Sequence, residues 1–146
     1  MKFALALSAS ALAGSALLAP AANAQGSQPM DTATTIGGVE TVCTGIGEQA
    51  QNPQWLAYPI RVEFSNGGAQ YLSGAHVELA GSGGRPIASL DCNGPWVLFR
   101  LAPGGTYKVS ATLMSQPGGG TASATFTVPR SGQKRVVLDF SVKPNQ

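Results

Sequence analysis

From Tyr58 almost to the C terminus, apolar and polar residues alternate at a period of two, in short runs separated by clusters of Gly, Pro, Asn and Ser. Such alternation marks strands with one buried face, and turn signals recurring about every ten residues mark an all-β sandwich or barrel. In "YPIRVEFS" the apolar phase is Ile60, Val62 and Phe64 against Arg61 and Glu63, and "NGG" at Asn66–Gly68 offers the positive-φ residues of a hairpin turn. "QYLSGAHVELA" turns Ala75, Val77 and Leu79 inward and His76 and Glu78 outward, and "RPIASLD" reads as a strand whose Pro86 favours an edge or a strand start. "DCNGPWVLFRLAPGGTYKV" holds a polar turn at Asp91, Asn93 and Gly94, an apolar run predicted to face the core through Trp96, Leu98 and Leu101, and a reversal at Pro103–Gly105. Further on, Tyr107, Val109, Ala111 and Leu113, then Ala122, Ala124, Phe126 and Val128, then Val136, Leu138, Phe140 and Val142 give three more inward phases. The expected fold is all-β, a single antiparallel β-sandwich of about seven strands.

The N-terminal part has no such rhythm. "QGSQPMDTATTI" is polar and aperiodic, so 25–36 is expected to be a flexible segment and 37–146 the β-sandwich domain. "EQAQNPQW" suits a loop or one helical turn. Ahead of both lies "MKFALALSASALAGSALLAPAANA", with Lys2, an apolar stretch, and small residues at Ala22 and Ala24. This reads as a signal peptide, 1–24, cleaved after Ala24. Ser8, Ser10, Gly14, Ser15 and Pro20 interrupt the run too often for a transmembrane span. The expected location is periplasmic or secreted, with no membrane insertion after cleavage.

Cleavage removes one charged residue, Lys2, and leaves eight basic against seven acidic side chains. Nucleic acid is not an expected partner, because there is no basic stripe to displace counterions from phosphates. Cys43 and Cys92, 49 positions apart, are an even count in an exported chain and read as one disulfide.

Chemistry is sparse. No metal or other cofactor is expected: the cysteine spacing is unlike a zinc pattern, and His76 is the only histidine. No catalytic set is expected either, since His76 falls on a solvent-facing strand position and no Gly-x-Ser-x-Gly elbow is present. "GSGG" and "PGGG" lack the lysine and helix of a phosphate loop and are turns. Trp55 and Tyr58 flank an irregular segment and are the candidate ligand-binding aromatics; Trp55 capping the open end of the core is the structural alternative.

Asp91-x-Asn93-Gly94-x-Trp96-x-Leu98-x-x-Leu101-x-Pro103-Gly104, with Leu72-x-Gly74-Ala75-x-Val77-x-Leu79 upstream, resembles the signature of carboxypeptidase regulatory-like domains. The likeness covers Tyr71 to Leu113. It implies a transthyretin-like or prealbumin-like sandwich, close in architecture to adhesin B domains. Gly105 adds a residue before Tyr107, Tyr71 and Leu90 stand where proline and threonine are usual, and Cys92 occupies an ordinarily polar turn position. The resemblance implies an exported non-catalytic binding or accessory protein of the bacterial cell envelope, meeting an envelope protein, peptide or polysaccharide. Two alternatives are a carbohydrate-binding protein using exposed aromatics near Trp55 and a small periplasmic hydrolase.

Overall fold

The structure, a computed structural model, describes residues 27–67, 70–115 and 120–140. The signal segment and its cleavage after Ala24 lie outside these residues, as does Val142. Among the described residues the chain forms a two-sheet β-sandwich from nine strands: β1 (Thr34–Ile36), β2 (Val39–Thr44), β3 (Ile60–Ser65), β4 (Ala75–Ala80), β5 (Pro86–Cys92), β6 (Trp96–Arg100), β7 (Thr106–Leu113), β8 (Thr121–Thr127) and β9 (Lys134–Asp139). One sheet has the order β1-β2-β6-β3-β9 and the other β5-β4-β7-β8. The inward phases meet between them, with Ile60, Val62, Phe64, Val77, Leu79, Val109, Leu138 and Phe140 almost fully buried.

Four features differ from the sequence expectation. The sandwich is not wholly antiparallel, because β9 runs parallel to β3 along its length, from Ile60↔Lys134 to Ser65↔Asp139. "NGG" does not join a hairpin: β3 and β4 belong to different sheets, and the residues after β3 fold back locally, with the Leu72 N–H donating to the Phe64 carbonyl at 2.9 Å. The N-terminal segment is tied down from Ser27 onward. Gln28 N–H donates to the Asp91 carbonyl at 3.0 Å, Asp31 N–H to the Cys43 carbonyl at 2.8 Å, and β1 pairs with β2. Backbone hydrogen bonds hold this segment, so it needs no side-chain periodicity.

The fourth difference concerns β6. Val97 and Phe99 enter the main core with Leu101, whereas Trp96 and Leu98 point to the opposite, outer face of the five-stranded sheet. Trp96 is nevertheless only 8% exposed and Leu98 fully buried. A central strand covered on both faces reads as an unbroken apolar run, and "WVLF" is one.

Cys43 on β2 and Cys92 at the end of β5 are joined by a disulfide, with Cα atoms 5.6 Å apart. The bond links the two sheets. The β5–β6 turn packs against it, and the Gly94 N–H lies 3.4 Å from Cys43 Sγ. A Cβ at Gly94 would sit 2.5 Å from the Thr44 carbonyl oxygen, so a side chain there would force the turn off β2.

Candidate functional site

Leu98 needs cover on the outer face, and the segment between β2 and β3 supplies it. Two 3-10 helices, Gly47–Gln51 and Pro53–Ala57, follow one another; Asn52 caps the second through its side chain, and Pro53 sits at the first position, where no N–H is required. Trp55 and Tyr58 then close over Val42 and Leu98 as a satellite core. Trp55 Nε1 donates to the Gln49 carbonyl at 2.8 Å. Gln133, from the β8–β9 connection, donates to the carbonyls of Trp55 and Tyr58 at 2.7 and 3.0 Å.

Trp55 and Tyr58 are therefore 7% and 4% exposed. They present no open ring face on which a sugar could stack, and Trp55 covers the outer sheet face rather than the end of the main core. Their remaining edges border a groove of about 580 Å³ that also meets Asp31, Gln54, Glu40 and Arg100.

Charge in this groove is organised around Glu40. Its carboxylate accepts from the Tyr58 hydroxyl at 2.7 Å and from Arg100 Nε at 2.9 Å, and the Arg100 guanidinium lies over the Tyr58 ring, 4.5 Å from its centroid. The Tyr58 hydroxyl, and after it Arg100, holds the Glu40 carboxyl below its ordinary range. Burial first, and Glu40 second, push the Tyr58 phenol up. The three groups keep fixed states around neutral pH: carboxylate, phenol, guanidinium.

A second cluster lies further along the same face. Glu63, expected to face solvent, is completely buried. Arg135 on β9 grips it through both Nε and Nη2, the latter at 2.9 Å, and Arg61 Nε lies 3.1 Å away. The Tyr71 hydroxyl is also hydrogen-bonded to it. Burial pushes the carboxyl up, but Arg135, Tyr71 and Arg61 together outweigh it and hold Glu63 below the ordinary range. Arg61 stacks on Trp96 at 4.4 Å, and Tyr71 meets the same ring edge-on. Gly45 has φ +109°, and a Cβ there would lie 2.7 Å from Pro95 and 2.9 Å from the Trp96 ring, so glycine lets β2 end directly beneath the tryptophan. Trp96 Nε1 is buried and has no hydrogen-bond partner among the described residues.

His76 lies on the other sheet. It is partly exposed, and Asp91, Ser89 and Glu78 surround its ring. Reading along the chain misses this grouping because His76 and Asp91 meet only through the β4–β5 register; the available signal was "HVE" and "SLD" on two strands that would have to be paired. Among the described residues there is no group of three or more His, Cys, Asp or Glu that would hold a metal ion, and no helix long and apolar enough to cross a membrane. No protein-family model and no curated protein matches the chain.

Proposed function

We propose that this chain is an exported binding or accessory protein of the bacterial cell envelope, which takes its partner, an extended polar segment of an envelope peptide, protein or polysaccharide, in the groove beside Glu40, Tyr58 and Arg100. The reading rests on that groove. Its charged rim is preorganised by mutual hydrogen bonds and a cation–π contact, so little ordering remains to be done when a ligand arrives. Glu40, Tyr58 and Arg100 are each held in one charge state near neutral pH, which suits recognition better than acid–base work. The disulfide fits an oxidising compartment, and the leader and the regulatory-like signature agree with an exported module.

A photo-crosslinking residue at Gln54, on the groove rim, is expected to trap a discrete partner in intact envelopes, whereas one at Thr125, on the outer face of the other sheet, is not. Arg100→Ala should abolish the Gln54 adduct while changing stability by no more than about 1 kcal/mol, because the Arg100–Glu40 pair is exposed to solvent. Equal trapping from both positions, or an adduct indifferent to Arg100→Ala, would place the binding surface elsewhere.

A further inference from the structure

We propose that Ser89, His76 and Asp91, on the outer face of the four-stranded sheet, form a nucleophile, base and orienting carboxylate that accept acyl groups from esters and pass them to water. The function proposed above does not use these residues, and they lie on the sheet opposite the groove.

Strand register assembles the set. His76 on β4 is paired directly with Asp91 on β5, and Ser89, two residues earlier on β5, is paired with Glu78. Residues two apart share a face, so all four side chains stand together. The Asp91 carbonyl accepts from Gln28 outside the sheet, which makes His76 and Asp91 a non-hydrogen-bonded pair, the kind whose side chains approach most closely. His76 Nδ1 is 2.6 Å from Asp91 Oδ1, and Nε2 is 3.2 Å from Ser89 Oγ. A proton on Nδ1, held by Asp91, leaves Nε2 as the acceptor for the serine hydroxyl. This is the polarity a serine nucleophile requires. The imidazole is 32% exposed and Asp91 22%, so an incoming group can reach the set.

The chemistry balances with water as co-reactant. Ser89 Oγ attacks the ester carbonyl as its proton moves to His76 Nε2. The carbon–oxygen bond to the leaving alcohol breaks, and that proton leaves with the alcohol. Water then repeats the transfer through His76, releasing the acid and restoring Ser89. Strand parity turns the Ser89 amide N–H to the outer edge of β5, on the same side as the Asp91 carbonyl. A site relying on that donor suits activated esters rather than amides. The partial exposure of the set admits a small ester.

Two carboxylates face the imidazole: Asp91 from β5 and Glu78 from β4, with Glu78 Oε1 3.4 Å from Nε2. On β7, uncharged Thr112 and Ser110 stand opposite His76 and Glu78, and Lys108 is the next residue on that face, opposite Ala80. Asp91 first, and Glu78 after it, raise the His76 pKa despite partial burial. The base is therefore freed as pH rises through that elevated value.

The test uses the disulfide-bonded protein with p-nitrophenyl acetate and a fluorophosphonate probe. Expected are a probe adduct mapped to Ser89 and ester cleavage that rises with pH. Cleavage should fall at least tenfold in Ser89→Ala and in His76→Gln, and stay unchanged in Ser110→Ala, whose hydroxyl is bonded to Ser123 at 2.9 Å. Glu78→Gln should move the pH midpoint down, as should Asp91→Asn, which also slows the reaction because Asp91 positions the ring. Matching thermal melts would show that these surface variants are folded. No adduct at Ser89 from mildly acidic to mildly alkaline pH, Ser89→Ala cleaving at the wild-type rate, or a midpoint indifferent to Glu78→Gln would each overturn the proposal.

Discussion

Replacing both Cys43 and Cys92 by alanine is expected to lower the stability of the folded chain by about 4 kcal/mol, the loop-entropy value for a bond of this span. The bond closes a separation of 49 residues. That stretch contains the two 3-10 helices ahead of β3 and all of β3 and β4, so the unfolded chain regains much freedom without the bond. Both half-cystines are almost fully buried between the sheets, and the alanines would leave small cavities rather than stranded hydroxyl groups. At roughly 4–8 °C per kcal/mol for a domain near this size, the melting temperature should drop by roughly 20 °C. Chemical denaturation of the variant, and of the wild type under reducing conditions, measures this. A loss under about 1 kcal/mol in both would mean that pairing of the N-terminal segment and packing hold the sheets together without the bond.

The second large effect is expected from Arg135→Ala. Glu63 would lose its two-pronged partner and part of its cover, with Arg61 and Tyr71 left to compensate. Breaking a fully buried pair from one side costs about 3–5 kcal/mol, and because Arg135 is 55% exposed and two partners remain, a loss of about 2 is expected here. Its pH signature is more specific than its size. In the wild type the Glu63 pKa is depressed below its ordinary 4.5. The folded state then binds fewer protons than the unfolded one, and this contribution is lost as pH falls below 4.5 through the folded value. Without Arg135 the main group holding the carboxyl down is gone, the depression is smaller, and less stability is lost as pH falls through this range. Stability measured across the acidic range should therefore show a less positive slope in the variant, while Glu63→Gln loses this dependence. Parallel wild-type and Arg135→Ala curves would show that Arg135 does not control the ionisation of Glu63.

Much of the sandwich was legible because its signal is local. Ile60, Val62 and Phe64, or Val109, Ala111 and Leu113, each have polar neighbours that set the phase, and the structure buries those residues. In "WVLF" no polar position sets a phase, and Trp96 and Leu98 were placed on the wrong face for that reason. Glu63 shows the converse error. A carboxylate in the polar phase of a strand reads as solvated, and its burial depends on Arg135, 72 positions away, and on Tyr71 from the crossover loop.

The candidate sites follow the same division. Trp55 and Tyr58 stood out in sequence as aromatics in an irregular segment, but their burial against Leu98 and their contact with Glu40 and Arg100 required the sheet order. Ser89 had no distinguishing mark, and Asp91 read only as a turn residue of the signature, until β5 lay beside β4.

The sequence by itself determined the all-β class, the inward phases of most strands, the edge character of "RPIASLD" and the cysteine pair, because alternation, turn residues and cysteine count are properties of neighbours along the chain. Only the tertiary structure decided the two-sheet order, the parallel β3–β9 pair, the cover over β6 and the residues that meet at each site. Those depend on which strands pair and in what register, and pairing is settled by the joint burial of surfaces far apart in sequence.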